Sequence, residues 1–181
     1  FDGGLGGQWT GLDLPTASHS AVGGRLQIMP NRGRIGGTGT NFDGAHYVHQ
    51  GPISGNFDIR VQVRSIGSTD DDAEAGLMVR ESMDLNSRYF AALVKRNNHF
   101  WQDYRTGTGG GATEAGDTGV SLSIYVRIQR SGNTFRSYTC TSATGTTNCT
   151  ERGSARSITM GPVYVGIFAN SDNTGTPGAA L

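Results

Sequence analysis

The sequence predicts an all-β fold, two antiparallel sheets packed face to face. Three observations carry that expectation. Apolar and polar side chains alternate through several short runs, the runs are separated by Gly, Asn, Asp and Ser, and no window has a helical period. The composition agrees: the 181 residues include 29 glycines, with 35% hydrophobic and 17% charged residues, which suits short strands joined by tight turns. The length fits one domain with a sizeable core.

Residues 1–24 read as an irregular entry, with Trp9 as a core plug and a turn at Gly23-Gly24. Residues 25–29 alternate and are stopped by Pro30. Within the glycine-rich stretch 31–44, Gly36-Gly37-Thr38-Gly39 lacks the lysine and the following helix of a phosphate loop. Residues 45–50 form a short strand on which His46 and His49 differ by an odd number, so they take opposite faces and do not share a metal. Residues 57–64 are the cleanest strand: Phe57, Ile59, Val61 and Val63 point to a core, and Asp58, Arg60, Gln62 and Arg64 to solvent.

The stretch 75–105 reads as three consecutive strands, 76–81, 88–95 and 100–105, separated by Asp84-Leu85-Asn86-Ser87 and Arg96-Asn97-Asn98-His99. Each feeds a core with one face and displays the other. Leu77 and Val79 share a face opposite Met78 and Arg80, and Trp101, Asp103 and Arg105 lie opposite Phe100, Gln102 and Tyr104. Residues 106–118 read as a long Gly/Thr loop. Residues 121–129 alternate with Leu122, Ile124, Val126 and Ile128 inward, turn at 130–134 and return through 135–140. Residues 163–168 follow a short piece at 157–160 and are apolar on both faces, which predicts a central strand covered on both sides.

Cys140 and Cys149 bracket a polar segment with Gly145 near its centre, as a hairpin would, and a disulfide between them suits an exported protein. Asn148-Cys149-Thr150 meets the glycosylation sequon. Fifteen basic side chains balance fifteen acidic ones, so no field attracts nucleic acid, and no apolar run is long enough to span a membrane as a helix. Four carboxylates crowd residues 70–74: Asp70, Asp71, Asp72 and Glu74. Their spacing is not that of an EF-hand, which leaves a structural Ca2+ ion or a solvated acidic loop. No other cofactor is required.

The motifs resemble those of the concanavalin A-like jelly-roll superfamily. Ala75-Gly76-Leu77-Met78-Val79-Arg80-Glu81-Ser82 is similar to its "A-G-L-M-hydrophobic-R-E-S" signature, Arg130-Ser131-Gly132-Asn133-Thr134-Phe135 to its "R-x-G-N-T-F" hairpin, and Val163-Tyr164-Val165-Gly166 to its late "V-Y-V-G" strand. The likeness runs over residues 40–172 and is nearest to modules attached to bacterial glycosidases, including β-xylosidase C-terminal-like domains. It implies one jelly-roll domain over residues 1–181. The family's last strand is not evident after Leu181, which implies trimming or an edge covered by a neighbouring domain or chain.

The resemblance implies a hollow sheet face that holds sugars by ring stacking and planar hydrogen bonds. Arg80, Trp101, Tyr104 and Arg105 are the candidates, with Tyr47 and Tyr89 as outer members. The first expectation is therefore a secreted, non-catalytic module whose partner is a polysaccharide or glycan. The second is a structural subunit of an extracellular filament, sheath or adhesin. A glycoside hydrolase or polysaccharide lyase ranks below both: no E-x-D-x-x-E run, nucleophile elbow or zinc motif occurs.

Overall fold

The computed structural model describes residues 7–12, 17–30, 33–35, 44–68 and 70–172, and among these there is no helix. One sheet has seven strands in the order β1 (Thr10–Leu12), β4 (His46–Ile53), β13 (Val163–Asn170), β6 (Glu74–Arg80), β7 (Tyr89–Lys95), β8 (His99–Arg105) and β9 (Thr113–Thr118). The second has four, in the order β12 (Cys149–Ser157), β11 (Thr134–Cys140), β10 (Ile124–Ser131) and β5 (Phe57–Val63). A separate hairpin joins β2 (Ser18–Val22) to β3 (Arg25–Met29). Every pairing is antiparallel.

The alternation that predicted the strands builds the core between the two sheets. Leu77, Val79, Phe90, Ala92, Val94, Val163 and Val165 of the large sheet meet Val63, Val126, Ile128 and Phe135 of the small one. The rings of Phe90 and Phe135, both fully buried, stack with centroids 5.5 Å apart and tie one layer to the other. The other face of the small sheet is a charged surface, where the Arg127 guanidinium pairs with Asp58 and lies 4.5 Å from the Tyr138 ring centroid.

Four strands escaped the sequence reading. Residues 113–118, expected to be loop, form β9, β12 begins at the second cysteine, and β1 and β2 lie within the stretch read as an irregular entry. β9 and β12 are edge strands, each paired on one side among the described residues, and neither carries an apolar alternation that could betray it. Conversely, the strand expected from Ser121 starts at Ile124, and Ile158 and Met160 enter the core from an irregular segment. The Arg130 guanidinium holds that segment by donating to the carbonyls of Met160 (2.5 Å) and Gly161 (3.0 Å).

The expected disulfide is present between Cys140 and Cys149, which face each other at the β11–β12 junction. Two outcomes test this core. Phe90→Ala lowers the unfolding free energy by about 3–5 kcal/mol in urea melts, because the Phe135 ring loses its partner. Cys140→Ser with Cys149→Ser costs roughly 2–3 kcal/mol, the chain-entropy value for so short a loop.

Candidate functional site

The outer face of the seven-stranded sheet is laid out in rows set by strand register. One row runs Tyr47, Phe168, Gly76, Leu93, Trp101, Gly116, and the next His49, Gly166, Met78, Ala91, Asp103, Glu114. A third runs Tyr164, Arg80, Tyr89, Arg105, and a short one at the opposite end runs Asn170, Glu74, Lys95. Glycine makes room for two rings. A side chain at Gly166 would meet the Tyr47 ring at 2.8 Å, and one at Gly116 would meet the Trp101 indole at 2.6 Å.

This face is not an open hollow. A second apolar cluster covers it, in which Ile35 and Ala112, from outside the strands, pack over Tyr47, Met78, Tyr89, Leu93 and Phe168. All seven positions of β6 and of β7 are buried, so the face expected to be displayed is a second core.

The structure brings three of the predicted residues into one buried stack. Tyr89 is fully buried, with the guanidinium of Arg105 5.0 Å from its ring centroid and that of Arg80 at 5.8 Å. Arg80 donates to the carbonyls of Asp84 (2.6 Å) and Ser82 (3.3 Å), and Arg105 to those of Gly110 (2.8 Å) and Ser87 (3.0 Å). They pin the β6–β7 and β8–β9 loops to the sheet, and Arg105 is only 1% exposed. Tyr47, 2% exposed, shares its hydroxyl proton between the carbonyls of Met78 (3.0 Å) and Tyr164 (3.1 Å). Tyr104 points the other way, into the core between the sheets, with the Arg156 guanidinium 4.6 Å from its ring centroid. Trp101 alone of the six is neither buried nor turned inward. Its half-buried indole lies against Gly116, with the Lys95 ammonium 4.9 Å from the ring centroid.

Beside Trp101 is a group of charges that the sequence reading did not assemble. Asp103 and Glu114 face each other across β8 and β9, which sets their Cβ atoms about 5 Å apart. The sequence alone does not pair them, because residues 106–118 carry a loop-like Gly/Thr pattern. The one available signal was the parity that sets Trp101 and Asp103 on a common face. Arg34 bridges to Glu114 (3.6 Å) and to Asp172 (3.4 Å), and Lys95 to Asp72 (3.3 Å), Asp172 (3.7 Å) and Glu74 (4.0 Å). Asp103 Oδ1 and Trp101 Nε1 are buried without a hydrogen-bond partner among the described residues.

The acidic run does not close on itself. Asp70 accepts from the Asp72 amide (2.9 Å), Asp71 pairs with Arg96, Asp72 takes Lys95 and Asn97, and buried Glu74 accepts from Asn170 (2.5 Å). Among the described residues no three His, Cys, Asp or Glu side chains are placed to hold a metal ion. Lys95 at the end of β7 faces Asp72 and Glu74, and Arg96 just after it faces Asp71.

Burial pushes the Glu74 carboxyl up to about 8, against the pull of Lys95 and Asn170. Burial, with Glu74 and Glu114 nearby, holds Asp103 well above the carboxylate range. Burial alone would lower Lys95, but Glu74, Asp72 and Asp172 outweigh it and raise it. A carboxyl whose pKa rises on folding contributes stability while protonated and loses it as pH climbs through the folded value. Thermal melts therefore show stability declining from the acid side toward pH about 8, the range set by Glu74. Asp103→Asn removes part of that decline, and the account of the cluster fails if the variant melts with an unchanged pH slope.

No protein-family model matches the chain, and no curated protein matches its sequence. Solved structures do match. A functionally unknown protein from Saccharomyces cerevisiae superposes with a TM-score of 0.72 at 15% identity, over 96% of this chain and 91% of that one. Bacteroides ovatus xyloglucan PUL GH43B gives 0.62 at 19% identity, over 97% of this chain but 35% of its own. The exoplasmic/lumenal domain of VIP36, in a Ca2+/Man3GlcNAc-bound form, gives 0.59 at 12% identity, over 96% of this chain and 80% of that one. A family 7 alginate lyase, A1-II', gives 0.55 at 12% identity, over 90% of this chain and 76% of that one. Identities this low bear on architecture alone, and on architecture they agree: the chain is a concanavalin A-like jelly-roll sandwich.

Proposed function

We propose that this chain is a non-catalytic carbohydrate-binding module of an extracellular protein, and that it meets its glycan at the β8–β9 end of the outer face. The observation that carries the reading is Trp101: a half-buried indole braced flat against Gly116, with the Glu114 carboxylate and the half-exposed Arg34 guanidinium on the same side of the sheet. An aromatic plane of this kind stacks on the apolar face of a pyranose, and flanking charged groups bond its hydroxyls. In this reading Arg80, Arg105, Tyr89 and Tyr47 brace the platform and its loops, and Tyr104 supports it from the core. The disulfide supports an oxidising, extracellular compartment. Likeness to the Man3GlcNAc-bound VIP36 domain and to two carbohydrate-active proteins supports a glycan partner.

A hydrolytic reading has one observation in its favour, the facing pair Asp103 and Glu114. Against it, Asp103 is 2% exposed, so one carboxyl of the pair is closed off from a substrate. The reading also needs no bound calcium, because Lys95 and Arg96 already answer the acidic run.

Calorimetry against a panel of plant, algal and microbial oligosaccharides tests the proposal. One member binds, Trp101→Ala weakens it roughly tenfold or more while the variant stays folded, and EDTA changes nothing. No new reducing ends or unsaturated products accumulate. Binding that survives Trp101→Ala would move the site elsewhere. Turnover lost on Glu114→Gln would replace the binding reading with a catalytic one.

A further inference from the structure

The two sheets are unequal, and what fills the difference is incomplete. Among the described residues, the four-stranded sheet ends at β5, which pairs only with β10, and the hairpin ends at β3, which pairs only with β2. Both strands lie in the same layer. Leu26 and Ile28 of β3 and Ile59, Val61 and Val63 of β5 pack against the same inner face of the large sheet. Their alternate residues, Arg25 and Gln27 on β3 and Gln62 on β5, are on the opposite, outward side, as is the exposed Arg64 just after β5.

Between them is a slot of about 460 Å³, bordered by residues 24–28 on one side and 61–65 on the other, with Ala75, Gly76 and Ile167 as its floor. Five consecutive residues on each side border it whichever way their side chains point, so the slot is flanked by backbone edges. A smaller cavity of about 270 Å³ continues along β5 past Ile59 and Val61, over Leu77 and Val165, and reaches Trp9. Two strand edges that are unpaired among the described residues face each other across an apolar floor and leave room for one more strand. Pairing on both sides would fuse the four-stranded sheet and the hairpin into a single layer.

We infer that this slot is a docking site for an extended β-strand of a partner polypeptide, one with small or medium apolar side chains inward and acidic side chains outward. The inward preference follows from the floor, where the small side chain of Ala75 leaves space beside Ile167. The outward preference follows from charge: Arg25 and Arg64 border the slot, and among the described residues no acidic one does. Main-chain hydrogen bonds to two edges supply the attachment, and the alternate side chains supply the selection. The site is on the inner side of the large sheet, so it stands independently of the glycan reading.

The experiment uses the full chain, labelled with 15N, and the capped heptapeptide Glu-Val-Glu-Val-Glu-Val-Glu as probe, with Lys-Val-Lys-Val-Lys-Val-Lys as its charge-reversed control. The acidic peptide shifts and protects amides of both β5 and β3, and the basic peptide binds at least roughly tenfold more weakly. Arg25→Glu with Arg64→Glu, both at exposed positions, reverses that preference. Perturbation of one edge alone, or of neither, overturns the proposal. So does protection of both edges in the free protein at low concentration, which would mean the chain fills its own slot. Concentration-dependent protection without peptide would assign the slot to a second copy and overturn the hetero-partner assignment.

Discussion

Burial of the seven-stranded sheet on both faces is the constraint from which the rest of this structure follows. Its inner face takes the ordinary route, with aliphatic and aromatic side chains packed against a second sheet. Its outer face closes with a mixed layer in which Tyr89, Leu93 and Phe168 are apolar, but Arg80, Arg105, Glu74, Asp103 and Lys95 are not. Charges buried in this way are tolerated only if paired or neutralised. The arginines meet the requirement by donating to loop carbonyls on either side of the Tyr89 ring. The carboxyls meet it partly through Lys95 and Asn170, and burial raises the pKa of both Glu74 and Asp103. The outer layer thereby becomes a clamp on the loops, and what stays accessible is confined to its β8–β9 end.

Most of the architecture was legible in the sequence because it rests on alternation. Phe57, Ile59, Val61 and Val63 announced an inward face, and the doubly apolar run at 163–168 announced a covered strand that is indeed hydrogen-bonded on both sides, between β4 and β6. What alternation does not mark is an edge. β9 and β12 are held by backbone pairing on one side and carry polar, glycine-containing sequences that differ little from a loop.

The site was less legible, for a related reason. Parity assigned Arg80, Trp101 and Arg105 correctly to one face, but parity does not say what lies above a face. Arginine beside tyrosine resembles a sugar platform and equally describes a buried cation–π stack, and only packing by Ile35, Ala112 and the adjacent loops separates the two. Asp103 and Glu114 became a pair only when β9 existed as a strand. The acidic run at 70–74 posed a question of charge balance that either calcium or the Lys95-Arg96 turn could answer, and the second answer depends on a hairpin register that no local pattern contains.

The two indoles of this chain mark the two surfaces that matter: Trp101 sits at the outer β8–β9 platform, and Trp9 borders the smaller cavity that continues from the inner slot. A titration of the 15N-labelled protein with the tightest-binding oligosaccharide, followed at the two indole N–H resonances, tests the central claim most directly. The account predicts that the Trp101 signal moves and saturates while that of Trp9 stays in place. A shift of Trp9 alone, or saturable binding that leaves both signals where they were, would contradict it.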